Sequence, residues 1–332
     1  MAAIQRQGKE VLSRTLERLR ILYKNRHTRP GQLVQVGIKP HWTMITGSEN
    51  ECGIASNVTG NIPAVNTPSG SVEIDRVRNM IDRPLFEIAA TGIKSDNLLV
   101  RSLGIAALSA LSQQFLSCST IRKRGFFSEC WKATDPFIQQ YPVQSRLINE
   151  DDIVIIIGHG LEIRNLLGRC RELHVMDSHS PAAFSTLLID SSVSYGPDNL
   201  FIHRGKRDTE ILQTADVILI NASALIDGTF ESLVEHSVHA RLLGLCGLSG
   251  SLIPDAFFDQ GVDFISSFRI TDPSMFKDMM KNEHDVDYSF ITGQKQFLMM
   301  NRSMVGRPGT LDDFASTRKG CPIIPQGPDK KI

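Results

Sequence analysis

The residues best suited to chemistry fall at the ends of apolar runs. Gly158-His159-Gly160 directly follows five aliphatic residues, and its imidazole titrates near neutral pH. His159 is therefore a candidate donor, metal ligand or proton carrier, although a surface histidine in a tight turn would look the same. Asp177 lies nineteen residues after Gly158, at the end of the next apolar run, where a carboxylate can bond a ribose hydroxyl. With His179, and with His159 as a third donor, Asp177 is also a candidate ligand set for a divalent heavy metal. Asn221-Ala-Ser223 and Asp227-Gly228-Thr229 stand between a strand pattern and a helix pattern. Asp227 or Thr229 would cap that helix, and the same helix N-terminus could hold an anion. Gly247-Leu-Ser249-Gly250 ends a further apolar run with small and polar residues. His236 and His239, with Glu235, read as a solvated helix face. No Gly-x-Ser-x-Gly elbow, Walker loop or His-Glu-x-x-His motif is present.

A dinucleotide fingerprint is incomplete here. Gly158 and Gly160 supply two glycines, but the third position, which needs a small residue where helix meets strand, is Ile163. NAD in its usual mode is thereby disfavoured. A nucleoside-containing or other small ligand on the same rim remains compatible with the pattern.

These residues need a scaffold of alternating strands and helices. Ile153–Ile157 is too β-branched for a helix and too short for a membrane span, and predicts a strand buried on both faces. Strands follow at Glu172–Met176, Leu200–His203, Asp216–Ile220, Arg241–Cys246 and Asp263–Phe268. Helices are expected at Leu161–Arg169, Asp208–Thr214, Thr229–Ala240, Pro254–Gln260 and from Thr271-Asp-Pro273 to Lys281. That alternation predicts a doubly wound parallel sheet. Right-handed crossovers put Ile153–Ile157 beside Asp216–Ile220 where the strand order reverses, and ligands bind beyond the carboxyl ends at such a point.

The first half reads differently. An amphipathic helix over Gln7–Tyr23 precedes an antiparallel meander of Leu33–Ile38, Met44–Thr46 and Cys52–Val58. A loop at 59–79, a helix from Pro84 to Ala90, and a helix over 97–115 with a narrow face of small residues follow. That face suits close packing within the domain or against a second copy. Residues 118–150 show no clear period and read as a connection, with Arg122-Lys-Arg124 as a solvated loop or an anion holder at a domain interface.

A chain of 332 residues can form two domains, each with its own core. The boundaries expected are 1–145, 146–300 and a Gly/Pro-rich tail at 301–332. Lys+Arg and Asp+Glu cancel at 36 each, which disfavours nucleic acid as a partner, although the first forty residues are basic. No signal-peptide pattern or run of eighteen apolar residues appears, so no membrane association is expected. The six scattered cysteines carry no Cys-x-x-Cys pair; they read as buried free thiols of a cytoplasmic protein and argue against a zinc knuckle.

Several motifs together resemble a known family. Val36-Gly37-Ile38-Lys-Pro-His41-Trp42-Thr43, Asp152-Ile-Val-Ile-Ile-Ile-Gly158-His159, the stretch Ala215 to Thr229, and Gly261-Val-Asp263 followed by Thr271-Asp-Pro273 are similar in order and spacing to the "putative heavy-metal chelation" family of bacterial and archaeal proteins. The resemblance covers about Leu33 to Lys281. It implies an α+β enolase N-terminal-like domain followed by a Rossmann-like domain, with an inter-domain cleft as the active site. It places His41, Trp42 and Thr43 on one wall, and Gly158, His159, Asn221, Gly228 and Thr229 on the other. The implied role is condensation or hydrolysis of a pterin-, flavin- or siderophore-like small molecule, with His41 or His159 as general acid/base. The rival expectations are a metal or metal-chelate carrier using His41, His159, Asp177 and His179, and an S-adenosylmethionine-binding transferase with Asp177 on the ribose.

Overall fold

The computed structural model describes residues 10–57, 77–132, 147–158, 163, 166–177, 199–204, 209–281 and 295–301. In chain order the elements are α1 (Glu10–Arg26), β1 (Leu33–Ile38), β2 (Trp42–Gly47), β3 (Cys52–Ser56), α2 (Leu85–Gly92), α3 (Leu98–Ser112), α4 (Cys118–Lys123), β4 (Phe127–Lys132), β5 (Ile153–Ile157), β6 (Glu172–Asp177) and β7 (Leu200–Arg204). They continue with α5 (Thr209–Leu212), β8 (Val217–Asn221), α6 (Ala224–Asp227), α7 (Phe230–His236), β9 (Leu242–Cys246), α8 (Asp255–Phe258), β10 (Phe264–Arg269), α9 (Pro273–Lys281) and β11 (Lys295–Met300). Short 3-10 turns follow α3 at Gln113–Phe115 and β9 at Leu248–Gly250.

The result is a mixed α/β structure with a parallel-rich sheet. β1, β2 and β3 form an antiparallel meander. The other eight strands form one sheet in the order β4-β11-β10-β9-β8-β5-β6-β7, and the six from β10 to β7 are parallel. The β-branched run Ile153–Ile157 is a central strand, as its composition requires: both of its faces meet other side chains, so period-2 alternation is lost. β11 is a further strand that the sequence pattern did not single out. It runs antiparallel to both β10 and β4. The stretch expected to be a bare connection instead supplies α4 and β4, the sheet's edge.

Two sets of side chains hold the halves together. Val11, Leu12, Leu16, Leu19 and Tyr23 of α1 share a buried cluster with Leu103, Ile155, Ile220 and Phe257, so the largest core is continuous across both halves rather than divided. Arg14 on the outer face of α1 pairs with Asp259 at 2.8 Å. The small-residue face of α3 is occupied within the chain: a Cβ on Gly104 would stand 2.6 Å from Gly92 Cα of α2. Only glycine at both positions permits that helix–helix approach. The cap of α3 is Asn97, whose side chain accepts from Val100 N at 3.0 Å. Leu98–Phe115 is long and apolar enough to cross a membrane by composition, but 83% of it is buried inside the protein, which makes it a core helix.

Two expectations need correction. Cys118 and Cys130 form a disulfide that ties α4 to β4, while Cys52, Cys170 and Cys246 are buried free thiols. The pair lies in elements that sequence periodicity left unassigned, so their proximity was invisible. Nor is Arg122-Lys-Arg124 a solvated loop: Arg122 donates to Ser128 O at 2.7 and 2.9 Å, and Arg124 pairs with Asp255 of α8.

Candidate functional site

The strand order reverses between β5 and β8, which lie side by side with Ile157 opposite Ile220. From there β6 and β7 extend one way, and β9 and β10 the other. The carboxyl ends of β5, β8 and β9 therefore bring Gly158, Asn221 and Gly247 together. Gly158 has φ 94° and Gly247 φ 111°, both in the region that strains an L side chain. A Cβ on Gly158 would stand 2.8 Å from Asn221 Cβ, and one on Gly247 would stand 3.6 Å from Asn221 Oδ1. Asn221 thus sits in a slot that two absent side chains leave open. Its Oδ1 accepts from Ser223 N at 2.9 Å, which turns the chain at the strand end. Gly158 N donates to Met176 O at 2.9 Å and Gly247 N to Ser266 O at 3.0 Å, fixing both flanks.

The meander forms a second wall, packed against the turn after β9. Trp42 starts β2 and pairs in register with Ser56. The hydroxyl of Ser249 accepts from Ser56 N at 2.8 Å and donates to Ser56 Oγ at 3.0 Å, so β3 is clamped to the turn after β9. Trp42 packs on a cluster that includes Leu248, Ile270 and Phe276. Thr43 Oγ1 donates to Asn57 Oδ1 at 2.8 Å, and the Asn57 amide donates to Lys39 O. Asn57 N in turn donates to His41 O at 2.7 Å. Thr43 and Ser249 are fully buried, and their hydroxyls hold the wall in place. His41 is exposed at its end.

The helix expected over Thr229–Ala240 is α7, and a further short helix, α6, lies before Gly228 in the stretch read as a connection. Thr229 precedes α7 with no side-chain cap; the Asp227 carboxylate instead accepts from both Thr229 N, at 3.0 Å, and Thr229 Oγ1. Helices of one or two turns align few peptide dipoles, so they lend an anion little support. Gly228 closes α6 against a charge the sequence reading passed over: a Cβ there would stand 2.7 Å from Arg101 Nη1. Arg101 is buried, donates to Ile226 O at 3.0 Å, and has its pKa pushed down by burial, against the pull of Asp96, Asp227 and Glu231. Glu231, equally buried, is pushed up to about 7, chiefly by desolvation. The signal for Arg101 was its position as a lone charge in an apolar helix face.

Asp177 ends β6 and is largely buried. His159, Gly160 and His179 lie outside the described residues. Among the described residues no three His, Cys, Asp or Glu side chains converge to hold a metal ion. Among the described residues the rim presents the Asn221 amide and, close to Gly158, the Ser223 hydroxyl, with the Asp177 carboxylate at the end of the neighbouring β6. An imidazole pair the sequence did not suggest lies at the far edge: His174 bonds His203 at 2.9 Å and Glu172 at 3.1 Å, and stacks on Phe201.

Residues 142–285 match a family model described as "Putative heavy-metal chelation", and residues 23–112 match a second model of the same description. The chain belongs to this family. Two solved structures of family members with unknown function share the fold. The one from Desulfitobacterium hafniense DCB-2 is 19% identical with a TM-score of 0.60, over 82% of this chain and 93% of that one. The one from Pyrococcus horikoshii is also 19% identical at 0.60, over 88% of this chain and all of that one. An uncharacterized protein of Methanocaldococcus jannaschii is 23% identical over 181 residues, which is 54% of this chain and 58% of that protein's length.

Proposed function

We propose that the chain binds a small chelating or heterocyclic metabolite, of pterin, flavin or siderophore type, between the Gly158–Asn221–Gly247 rim and the His41–Trp42 wall, and acts on it by condensation or hydrolysis. The observation that carries this reading is Asn221, held between two glycines at the point where the strand order reverses. A planar or polar ligand there would meet the Asn221 amide, which fills the space the two glycines leave. His41 and His159 serve as general acid and base, since an imidazole exchanges protons near neutrality. The family description is then met by a metal carried in the chelator. On this reading the meander with α1–α3 is the enolase N-terminal-like domain, and the six parallel strands are the Rossmann-like one. A nucleoside-containing ligand is the second reading, favoured by Asp177 at the end of β6, where Gly158 N meets the neighbouring Met176 carbonyl.

Calorimetric titration of the purified chain tests both. The probes are pterin, FMN and 2,3-dihydroxybenzoate, each alone and as its ferric complex, with S-adenosylmethionine, NAD and free Ni²⁺ alongside. Binding of a heterocycle or catecholate, weakened tenfold or more in Asn221→Ala, supports the proposal. The double variant His41→Ala/His159→Ala should keep that binding and its melting temperature but lose turnover. Stoichiometric Ni²⁺ binding lost on His159→Ala would replace the proposal with a metal carrier. Heat from S-adenosylmethionine or NAD alone would favour the nucleoside reading.

A further inference from the structure

A cavity of about 500 Å³ lies where the end of α1, the β2–β3 hairpin, the carboxyl end of α3 and the end of β10 meet. It shares no lining residue with the Gly158–Asn221–Gly247 rim. Tyr23, Arg29, Glu49, Glu51, Gln113 and Arg269 are among its lining residues. Two donors here lack partners. Gln113 is 9% exposed, and its Oε1 accepts from Ile270 N at 3.1 Å. That bond can only be made by the amide oxygen, so it fixes the orientation of the amide. Nε2 is then left buried with no acceptor. Arg269 Nε is also buried with no acceptor, and burial pushes the pKa of its guanidinium down without an opposing carboxylate. A guanidinium keeps its proton regardless, so Nε remains a donor without an acceptor.

Two of the neighbouring polar groups are already engaged. Glu51 Oε1 accepts from Gly31 N at 2.6 Å and Oε2 from Glu49 N at 2.9 Å, so its carboxylate pins the hairpin. Tyr23 donates its hydroxyl to Leu111 O at 3.2 Å, and burial raises its pKa well above the usual phenol range, so it stays protonated. Buried, unpaired donors are costly to a fold and persist where something else completes them.

We propose that this cavity is a second ligand site, taking a small organic monocarboxylate whose oxygens accept from Arg269 and Gln113. The volume is in the range of metabolite pockets and too large for one ion. Arg29, exposed at the end of α1, adds attraction for an anion. Glu49 and Glu51 disfavour a second negative charge on the ligand.

Ligand-observed NMR of the whole chain tests this with butyrate, benzoate, pyruvate, succinate and inorganic phosphate. The expected result is binding of at least one monocarboxylate, with succinate weaker and phosphate absent. Arg269→Met should weaken that binding tenfold or more, and should raise the melting temperature in carboxylate-free buffer, because the buried unpaired Nε is gone. Asn221→Ala should leave carboxylate binding unchanged, which separates this site from the rim. No monocarboxylate binding, equal binding by Arg269→Met, equal binding of phosphate, or a lowered melting temperature for Arg269→Met would each overturn the proposal.

Discussion

Glu231 makes the stability of this protein depend on pH in a direction opposite to that of most acidic residues. Its side chain is 6% exposed, Oε1 accepts from Val11 N of α1 at 3.2 Å, and Oε2 has no partner. Desolvation is the largest influence on its pKa, and Arg101 offsets it only in part, leaving a value of about 7 against an ordinary 4.5. The folded state therefore prefers the protonated acid. The stabilisation is fully present below about pH 4.5 and is lost as pH rises through 7. A rise from 4.5 to about 7 corresponds to about 3 kcal/mol across that window, at 1.36 kcal/mol per unit. Glu231→Gln mimics the protonated acid and keeps an acceptor for Val11 N. The assay is urea unfolding of wild type and variant between pH 5 and pH 8. The difference between them isolates Glu231 from the histidines, which titrate in both. The variant should match wild type near pH 5 and be more stable by about 2–3 kcal/mol at pH 8. A difference that stays constant with pH would refute the reasoning, and so would a variant less stable than wild type at pH 8.

Gly158→Ala should lower stability by about 2–4 kcal/mol, from backbone strain at positive φ together with a clash on Asn221 Cβ, and should weaken rim-ligand binding more than Gly168→Ala, a positive-φ glycine with open space around it. Chemical denaturation and calorimetry read the two effects. Reducing the Cys118–Cys130 disulfide, or replacing Cys118 by Ser, should cost about 3 kcal/mol by the chain-entropy estimate for so short a loop, seen as a lower melting temperature in dithiothreitol. An unchanged melting temperature would mean that α4 and β4 are held by packing alone.

Local pattern carried much of the fold. The run Ile153–Ile157 could only be a buried strand, because β-branched side chains crowd a helix and fit a pleated sheet, and the structure gives it the same bounds. The right-handed crossover rule then put Ile153–Ile157 beside Asp216–Ile220, and the two strands pair in parallel. Glycines at strand ends pointed to the rim for a similar reason: a positive φ is a property of one residue and can be read from one residue.

Other features had no local signature. β4 and β11 join the sheet edge to edge across more than 160 residues, and nothing in either stretch says which partner it will find. The stretch after Asn221 was read as a connection, but it holds the short helix α6, which ends at Gly228 against an arginine more than a hundred residues upstream. Glu231 and Gln113 look like ordinary polar residues of amphipathic helices in the sequence. Their unusual chemistry comes from α1 covering one and from β10 reaching the other. The sequence alone determined where most of the strands, helices and tight turns form, since those follow from neighbours within a few residues. Tertiary structure alone decided which charges lose their water, because desolvation is imposed by segments distant in the chain.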